Sequence, residues 1–343
     1  MPVAEQNEMD QFFRVVDMVQ EIELKLSLPA HEQPRFAELA LLQRYTPGPA
    51  WVQRLQNRYF DTADLQLNAQ AVALRVRRQG DQYIQTLKTR GSNQGGLHQR
   101  QEWEWPVASD QLDLALLPRN VLPEGMPLEA LNVAFNTDFQ RSCWILDYPF
   151  QEQRASIELV LDSGWVSSQD QRDPISEIEL ELKSGPTEAL FALALELAAE
   201  LPLRISRISK AEKGYRLRQP ERARRIPPAP EIDATAARFD LNATRHWLER
   251  IQALLESYSY IADATLLEKL PASFEGLIQQ LEVADAVPQG LVTDLLAQLQ
   301  QVVSLLSQLD PPSPLQQWLD SQALGLCLLR LSYWLYLQPE SAV

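Results

Sequence analysis

The stretch QEIELKLSL, Gln20–Leu28, decides the fold because charged and apolar side chains alternate along most of it. Successive side chains of a β-strand point to opposite faces, so Glu21, Glu23 and Lys25 share one face, and Ile22, Leu24 and Leu26 share the other. The stretch Ile175–Lys183, which contains EIELELK at Glu177–Lys183, repeats the pattern much later in the chain. Both stretches predict strands with one face on an apolar core and the other covered by charge.

Six further stretches alternate in the same way and predict strands between these two. Eight strands with short connections favour an antiparallel sheet or barrel. An apolar helix, Pro186–Leu201, is long enough to cover one side of it. The six stretches are Val52–Phe60, Val72–Arg78, Tyr83–Thr89, His98–Val107, Ser142–Tyr148 and Ser156–Asp162.

The charged faces of these strands are segregated by sign. One alternating strand is usually a solvated outer face, but a surface sheet normally mixes the two signs, since like charges side by side are destabilising. Here the first and last strands are acidic and those between them are basic. In a closed barrel the first and last strands can become neighbours, which would place Glu21 and Glu23 beside Glu179 and Glu181. The facing wall would carry Lys25, Arg58, Arg75, Arg77, Lys88 and Arg100.

This arrangement of charge predicts the kind of ligand. Several carboxylates on one wall repel each other unless a cation neutralises them, and hard divalent ions take oxygen ligands. Mg²⁺ is usually held by one or two carboxylates together with substrate phosphates. The strands therefore predict a barrel whose interior binds a metal–phosphate complex.

Composition excludes several other classes of protein. The 343 residues include 46 acidic and 31 basic side chains, for a net charge of −15, which argues against binding of long nucleic acid. Two cysteines are too few for a disulfide framework, and three histidines argue against a histidine-rich zinc site. The first residues lack the apolar segment of a signal peptide, and the apolar stretch Ala323–Leu337 is too short to span a bilayer. We expect a cytoplasmic protein that does not contact the membrane.

A proline- and arginine-rich segment, Gln219–Pro230, predicts a linker between two domains. Downstream of it, at residues 231–343, apolar side chains recur with a helical period and prolines separate the runs, which predicts a bundle of four or five helices. The expected domains are residues 18–218 and 231–343, preceded by an N-terminal extension at residues 1–17.

Five motifs in order resemble the CYTH superfamily, the triphosphate tunnel metalloenzymes. They are EIELKLSLP, NRYFDTADLQLNAQAVALRVRRQG, TLKTRG with HQRQEWEW, EIELELKSG and SRISKAEKGYRL. The likeness covers about Val19 to Leu217 and is greatest to the bacterial inorganic triphosphatases, which often carry a C-terminal helical CHAD domain. It implies an α+β fold: an eight-stranded antiparallel β-barrel, or tunnel, with flanking helices, followed by a small all-α bundle.

The resemblance also implies roles for individual residues. Glu21, Glu23, Glu179 and Glu181 would hold Mg²⁺ or Mn²⁺, and Lys25 would act in catalysis with Glu21 and Glu23, beside the attacking water or a phosphate. Phosphate would be bound by Arg75, Arg77, Lys88 and Arg100, with Arg58, Arg141 and Lys210 as further contacts. Lys183 would either bind phosphate or help to orient these cations. Glu102, Asp162 and Glu177 would orient them.

The expected function is metal-dependent hydrolysis of the terminal phosphoanhydride of inorganic tripolyphosphate. Hydrolysis of thiamine triphosphate or nucleoside triphosphates, and cyclisation of ATP by a class IV type of adenylate cyclase, remain alternatives within the superfamily. A non-catalytic module that binds polyphosphate or triphosphate-ended RNA is an alternative from another class. The helical region is shorter than a CHAD domain and acidic, so we expect it to pack or to form a homodimer; a role as a protein-interaction platform, with the tunnel as a sensor, stays open.

Overall fold

The computed structural model of the chain describes residues 19–89, 91–94, 97–231, 239–307 and 312–339. The expected N-terminal extension at residues 1–17 lies outside these ranges. Ten strands are described: β1 (Val19–Ser27), β2 (Trp51–Asp61), β3 (Ala73–Gln79), β4 (Gln82–Lys88), β5 (Ser92–Gln94), β6 (Leu97–Val107), β7 (Asn132–Phe150), β8 (Gln153–Ser168), β9 (Gln171–Ser184) and β10 (Arg204–Ile205).

Eight of these strands form a closed antiparallel ring. The hydrogen-bonded order runs β1, β9, β8, β7, β2, β3, β4 and β6, and pairing of β6 with β1 joins the two ends. β1 reaches both neighbours because its first half pairs with β6 and its second half pairs with β9. The predicted eight-stranded antiparallel barrel is confirmed, and the first and last of its strands are neighbours as expected.

The strands differ in length from the predicted stretches. β7 begins at Asn132, ten residues before the stretch predicted at Ser142–Tyr148, and β8 and β9 are also longer than predicted. Their outer parts alternate buried and exposed side chains, but many of the buried ones are polar or small, so the pattern of hydropathy is weak there. β5 and β10 extend the sheet as short additions beside β6 and β1.

Ten α-helices are described, five of them within or beside the barrel region. These are α1 (Gln33–Ala37), α2 (Ala40–Tyr45), α3 (Gln66–Ala69), α4 (Glu188–Ala198) and α5 (Lys210–Arg218). The remainder form the predicted C-terminal bundle: α6 (Leu241–Ile261), α7 (Leu270–Glu282), α8 (Leu291–Leu306), α9 (Pro312–Leu319) and α10 (Gln322–Tyr336). Short 3₁₀ turns lie at Ala30–Glu32, Leu114–Leu116, Arg119–Val121, Leu128–Ala130, Pro220–Arg224 and Ala264–Lys269.

The apolar faces of β1, β8 and β9 pack outward against α4. Leu24, Leu159 and Leu180 are fully buried there together with Leu190 and Leu193 of the helix. Because side chains alternate along each strand, this outward packing turns the charged residues of the same strands toward the inside of the ring.

Helix α5 packs against the barrel through close contacts. A Cβ atom on Gly214 would lie 2.1 Å from the Phe135 ring, so only glycine allows this approach. Tyr215, one residue later, donates a hydrogen bond to Asp61 at 2.8 Å. Ser209 caps the helix by accepting the Glu212 N–H at 3.1 Å, which holds Lys210 in the first turn.

The helical bundle has its own core but also packs on the barrel. Phe191 of α4 stacks on Tyr333 of α10 at 5.2 Å between ring centroids, and Leu329 of α10 belongs to the core under α4. The proline- and arginine-rich segment contains a 3₁₀ turn, Pro220–Arg224, in which Ala223 is fully buried. The connection is therefore packed, and the domain boundaries stay a prediction. Among the helices that the structure describes, none has both the length and the apolar content needed to cross a bilayer.

Candidate active site

The inward faces of the barrel strands enclose a cavity of about 450 Å³ lined mainly by charged side chains. The lining side chains on strands point inward because side chains alternate along a strand, which we call strand parity; α5 and its N-cap contribute the others. Its acidic and basic lining residues are Glu21, Glu23, Lys25, Arg75, Arg77, Lys88, Glu102, Glu104, Arg141, Glu158, Glu179, Glu181, Lys183, Lys210 and Glu212. Most of the residues predicted from the sequence are thus brought together.

Beneath one side of the cavity lies a network that we call the buried ion cluster. It consists of three cations and three carboxylates: Lys25, Arg141, Lys210, Asp162, Glu177 and Glu179. Arg141 forms a two-pronged pair with Asp162, with Nε at 2.8 Å and Nη2 at 2.6 Å from its two oxygens, and also reaches Glu179 at 2.6 Å. The Lys210 Nζ lies 2.6 Å from Asp162. Cations and acids therefore touch directly here, rather than facing each other across the cavity.

Lys25 completes the buried ion cluster from β1. Its Nζ donates to Glu177 at 3.2 Å and to Glu179, the residue directly opposite it on β9. Burial alone would lower the pKa of Lys25, but the charges of Glu177, Glu179 and Glu23 outweigh it and raise the pKa above its ordinary value. Lys25 is consequently a fixed cation at neutral pH.

The carboxylates of the buried ion cluster are correspondingly held in the charged form. Burial would raise the pKa of Glu179, but Lys210, Lys25 and Arg141 lower it well below the ordinary value. Likewise, Arg141 and Lys210 overcome burial to lower the pKa of Asp162. Matched opposite charges thus offset the cost of removing each ion from water.

A second set of contacts lies on the wall formed by β1, β3, β4 and β6. Lys88 binds both oxygens of Glu21 at 2.9 Å and lies 3.0 Å from Glu102. Arg75 lies 3.8 Å from Glu102 and donates to the Tyr59 hydroxyl at 3.4 Å. Burial would raise the pKa of Tyr59, but the Arg75 charge lowers it below its ordinary value.

Arg77 differs from the other cavity cations because it has no ion pair with any carboxylate that the structure describes. Its Nε donates to the Asn57 side chain at 3.1 Å. Burial, with the like charges of Arg75 and Arg141 nearby, lowers its pKa to about 10, so it still carries its charge at neutral pH. A cation in this position is stabilised by any anion that enters the cavity.

Four carboxylates near the other end of β1 and β9 form a group that we call the acidic group: Glu21, Glu23, Glu158 and Glu181. Glu23 and Glu181 are paired directly across the two strands. Burial raises the pKa of Glu181, and the charges of Glu21 and Glu158 raise it further against the opposing effect of Lys183. Crowding of this kind is what a bound cation relieves.

Two sets of acids could hold a divalent metal, and their surroundings distinguish them. Oxygens of Asp162, Glu177 and Glu179 lie within 4.8 Å of one another. All three already bind cations of the buried ion cluster, and Glu179, expected among the metal ligands, contacts Lys25, Arg141 and Lys210. In the acidic group, which Lys88 and Lys183 also contact, burial and the charges of Glu21 and Glu158 raise the pKa of Glu181, and this donor set fits a hard divalent ion because the ion would relieve that repulsion.

Of the residues predicted to contact phosphate, Arg58 lies outside the cavity lining. Arg58 lies on the outer face of the barrel, 2.8 Å from Asp110, because the inward positions of β2 are Asn57 and Tyr59. The expectation that Arg58 contacts phosphate is therefore corrected. Arg100 lies opposite Glu21 in the β1–β6 pairing, but its side chain falls outside the described residues.

Lys183 and three other lining residues complete the set. Lys183 is exposed at the edge of the cavity, 2.7 Å from Glu181 and 3.2 Å from Glu158. Sequence reasoning did not include Glu158, Glu104 or Tyr59. Parity could have identified Glu158, which shares its strand face with Asp162 in IELVLD, and Glu104, which follows Glu102 by two positions.

Comparison with known proteins places these motifs in a family. The chain is 35% identical to the inorganic triphosphatase of Haemophilus influenzae over 205 residues, which is 58% of this chain and 55% of that protein. The chain thus spans about half the length of this curated relative.

Solved structures show a more distant likeness. One is a protein from Hippeastrum described as a candidate adenylyl cyclase with a dominant triphosphatase activity: 21% identity, TM-score 0.42, 56% of this chain and 93% of that one. Another is a candidate adenylate cyclase from Bacillus halodurans: 23% identity, TM-score 0.33, 52% of this chain and 89% of that one.

A sequence profile of the CYTH domain matches residues 19–215, which includes every barrel strand and helix α5 up to Tyr215. The match stops before the C-terminal bundle, so its CHAD-like character stays a prediction. With more than half of its length matched, the chain belongs to the CYTH domain family.

Proposed function

We propose that this protein hydrolyses the terminal phosphoanhydride of inorganic tripolyphosphate inside the barrel. The observation that carries the proposal is the cavity itself, in which Arg77 faces Arg75 and Arg141 without a described carboxylate partner of its own. A linear polyanion would supply the missing negative charge. The 35% identity to an inorganic triphosphatase supports the same substrate class.

The cationic side chains would bind and orient the substrate. Phosphoryl transfer requires little covalent chemistry from the protein, and most of its catalysis comes from positioning and from stabilising charge. Arg75 and Arg77 would contact phosphate oxygens from β3, and Lys88 and Arg141 from the neighbouring walls. Lys210 would contribute from the first turn of α5, where its capping residue holds it.

The acidic group would hold Mg²⁺ or Mn²⁺, in keeping with the metal dependence general to the family. We assign Glu21, Glu23 and Glu181 as ligands, with Glu158 beside them. When bound, such an ion neutralises charge on phosphate oxygens and acidifies water. Glu179 is assigned instead to orienting Lys25, Arg141 and Lys210.

Lys25 would act as a cation and not as a base. Its raised pKa keeps the ammonium protonated, and the ammonium donates hydrogen bonds to Glu177 and Glu179. Asp162, Glu177 and Glu102 would hold the cations in fixed directions, which keeps phosphate contacts preorganised.

Phosphate release from tripolyphosphate, thiamine triphosphate and ATP, with Mg²⁺ or Mn²⁺, tests the proposal. We expect tripolyphosphate to be the best substrate, and Glu21→Gln and Arg75→Gln each to reduce its turnover at least tenfold. The matched control is Arg78→Gln, which changes an exposed arginine of the same strand. Turnover unaffected by both cavity variants would refute the assignment. Tight binding without turnover under every metal would favour the non-catalytic polyphosphate-binding module instead.

The C-terminal bundle would serve to pack against the barrel and to form a homodimer, in a cytoplasmic protein. Deleting residues 231–343 is a poor test because it would expose Phe191, which packs on Tyr333 and Tyr336. Measuring the mass of the full chain in solution by light scattering is the better test, and a monomer at all concentrations would refute the dimer.

A further inference from the structure

A second cavity of about 200 Å³ lies between the barrel and the helical bundle. The end of β1 contributes Ser27, the middle of β9 contributes Glu177, β10 contributes Arg204, α5 contributes Arg216, and α6 contributes Gln252. It therefore lies at the contact between the part of the chain matched to the CYTH domain and the part that is not. We call it the interface pocket.

Gln252 is the most informative residue of the interface pocket. Its side chain is 3% exposed, yet neither its amide nitrogen nor its carbonyl oxygen has a hydrogen-bond partner within the described parts of the chain. Buried polar groups are nearly always hydrogen-bonded, and leaving both ends of an amide unpaired is costly. A molecule bound beside Gln252 would accept from Nε2 and donate to Oε1.

The pocket also holds two arginines that are weakly paired. The buried Arg216 Nε has no hydrogen-bond partner in the described ranges, and its nearest carboxylate oxygen, on Glu212, is 3.6 Å away. Arg204 lies 4.0 Å from Asp320 and 3.5 Å from the Ser259 hydroxyl. Burial lowers the pKa of Arg204, as expected for a guanidinium without a close counter-ion.

The acids of the interface pocket are better satisfied than the arginines. Glu177 binds Lys25 and Lys210 of the buried ion cluster, and Asp173 binds Lys213 at 3.0 Å. That leaves Glu256.

Glu256 accepts the backbone N–H of Arg207 at 2.6 Å. Burial raises its pKa against the opposing effect of the nearby arginines. The groups of the pocket that lack a hydrogen-bond partner in the described ranges are thus mostly donors, the Gln252 amide and the Arg216 Nε, while its charged lining residues, three acids and three bases, balance.

We propose that the interface pocket binds a small phosphate-type oxyanion, held by Arg216, Arg204 and the amide of Gln252. The volume suits it: one water takes up about 30 Å³ of liquid, so 200 Å³ accommodates orthophosphate with a few waters. Hydrogen phosphate supplies acceptors for the three donors and one hydroxyl for Gln252 Oε1. This site is separate from the barrel cavity and does not depend on the proposed hydrolysis.

Binding of orthophosphate to the full chain tests the proposal, with the barrel cavity weakened by Arg75→Gln and Arg77→Gln and with no metal added. In that background, calorimetric titration is expected to show one remaining site. Gln252→Leu, of similar size, and Arg216→Gln are each expected to weaken it about tenfold or more, the loss expected for a hydrogen bond to a charged group. Gln279→Leu, the same change at an exposed helical position, is expected to leave it intact.

Further measurements keep the outcome unambiguous. Melting temperatures of each variant identify any that fail to fold, in which case the other variant decides. Sulfate lacks a proton at neutral pH and is expected to bind more weakly than phosphate, because it cannot donate to Gln252 Oε1. A phosphate affinity equal to that of the parent protein in both Gln252→Leu and Arg216→Gln would overturn the proposal. The proposal would also be overturned if the parent protein showed no phosphate site and Gln252→Leu melted at a higher temperature than the parent. That result would identify the pocket as water-filled.

Discussion

Replacing Arg77 by glutamine separates catalysis from stability more cleanly than any other change in the cavity. Arg77 makes one hydrogen bond, to Asn57, which glutamine can also make, and it forms no ion pair with a described carboxylate. The variant also removes repulsion from Arg75 and Arg141. The free energy of unfolding without ligand should therefore be unchanged or higher.

Activity should respond in the opposite direction. Removing one preorganised donor from a developing charge typically costs about 10²–10³ in kcat, or about 2.7–4 kcal/mol. We expect a loss of that size in kcat/KM for tripolyphosphate, measured by phosphate release, while urea unfolding monitored by tryptophan fluorescence reports stability. In the control Arg78→Gln, an exposed side chain bonded to the Gly80 carbonyl is changed, and both quantities should stay within about 0.5 kcal/mol of wild type.

The reasoning about Arg77 is refuted by either of two results. Full turnover in Arg77→Gln would mean that Arg77 does not contact the substrate. A loss of unfolding free energy as large as the free-energy equivalent of the loss in kcat/KM would mean that Arg77 stabilises the fold. Its charge would then not be available to bind an anion.

Three further predictions concern other parts of the barrel. Asp162→Asn leaves Arg141 and Lys210 short of a buried counter-ion and should lower the unfolding free energy by about 3–5 kcal/mol; a change below about 1 kcal/mol would contradict the buried ion cluster. Glu181 has a raised pKa, so its stabilising contribution is present below the ordinary glutamate pKa of 4.5 and is lost as pH rises through the folded value. Metal-free Glu181→Gln should therefore be more stable than wild type at pH 7, by a margin that closes below pH 4.5; a pH-independent difference in urea unfolding would refute this. Arg58→Gln should retain wild-type phosphate release, whereas a tenfold loss would return Arg58 to the substrate site.

Strand parity predicted most of the site, because one decision about which face is apolar assigns every second residue to the interior. Glu21, Glu23 and Lys25 follow from the apolar Ile22 and Leu24 between them, and Glu179 and Glu181 follow in the same way. The first and last of the predicted strands, β1 and β9, are hydrogen-bonded neighbours, as expected for a closed barrel.

Parity could not predict what depends on contacts between distant segments. The charge pattern places Arg58 on the basic inner wall of the barrel, yet Asn57 and Tyr59 occupy the inward positions of β2. Lys210 enters from a helix, where the period-two rule does not apply, and its partners Glu179, Glu177 and Asp162 are 31, 33 and 48 residues away. The pairing of acids with cations in the buried ion cluster likewise depends on side-chain reach, which a pattern along one strand does not contain.

The helical region shows a similar division. A helical period predicted the bundle, but not that α10 contributes Leu329 to the core beneath α4. Nor could it predict Gln252, whose burial without partners arises only where α6 meets the barrel.

The most direct test of the account is a crystal structure of the full chain with Mn²⁺ and the imido analogue of tripolyphosphate, which resists hydrolysis. We predict three phosphorus atoms along the barrel cavity in contact with Arg75 and Arg77, and Mn²⁺, located by its anomalous scattering, on Glu21, Glu23 and Glu181. An empty cavity at saturating ligand, or the analogue bound only on the outer face of the barrel, would contradict it.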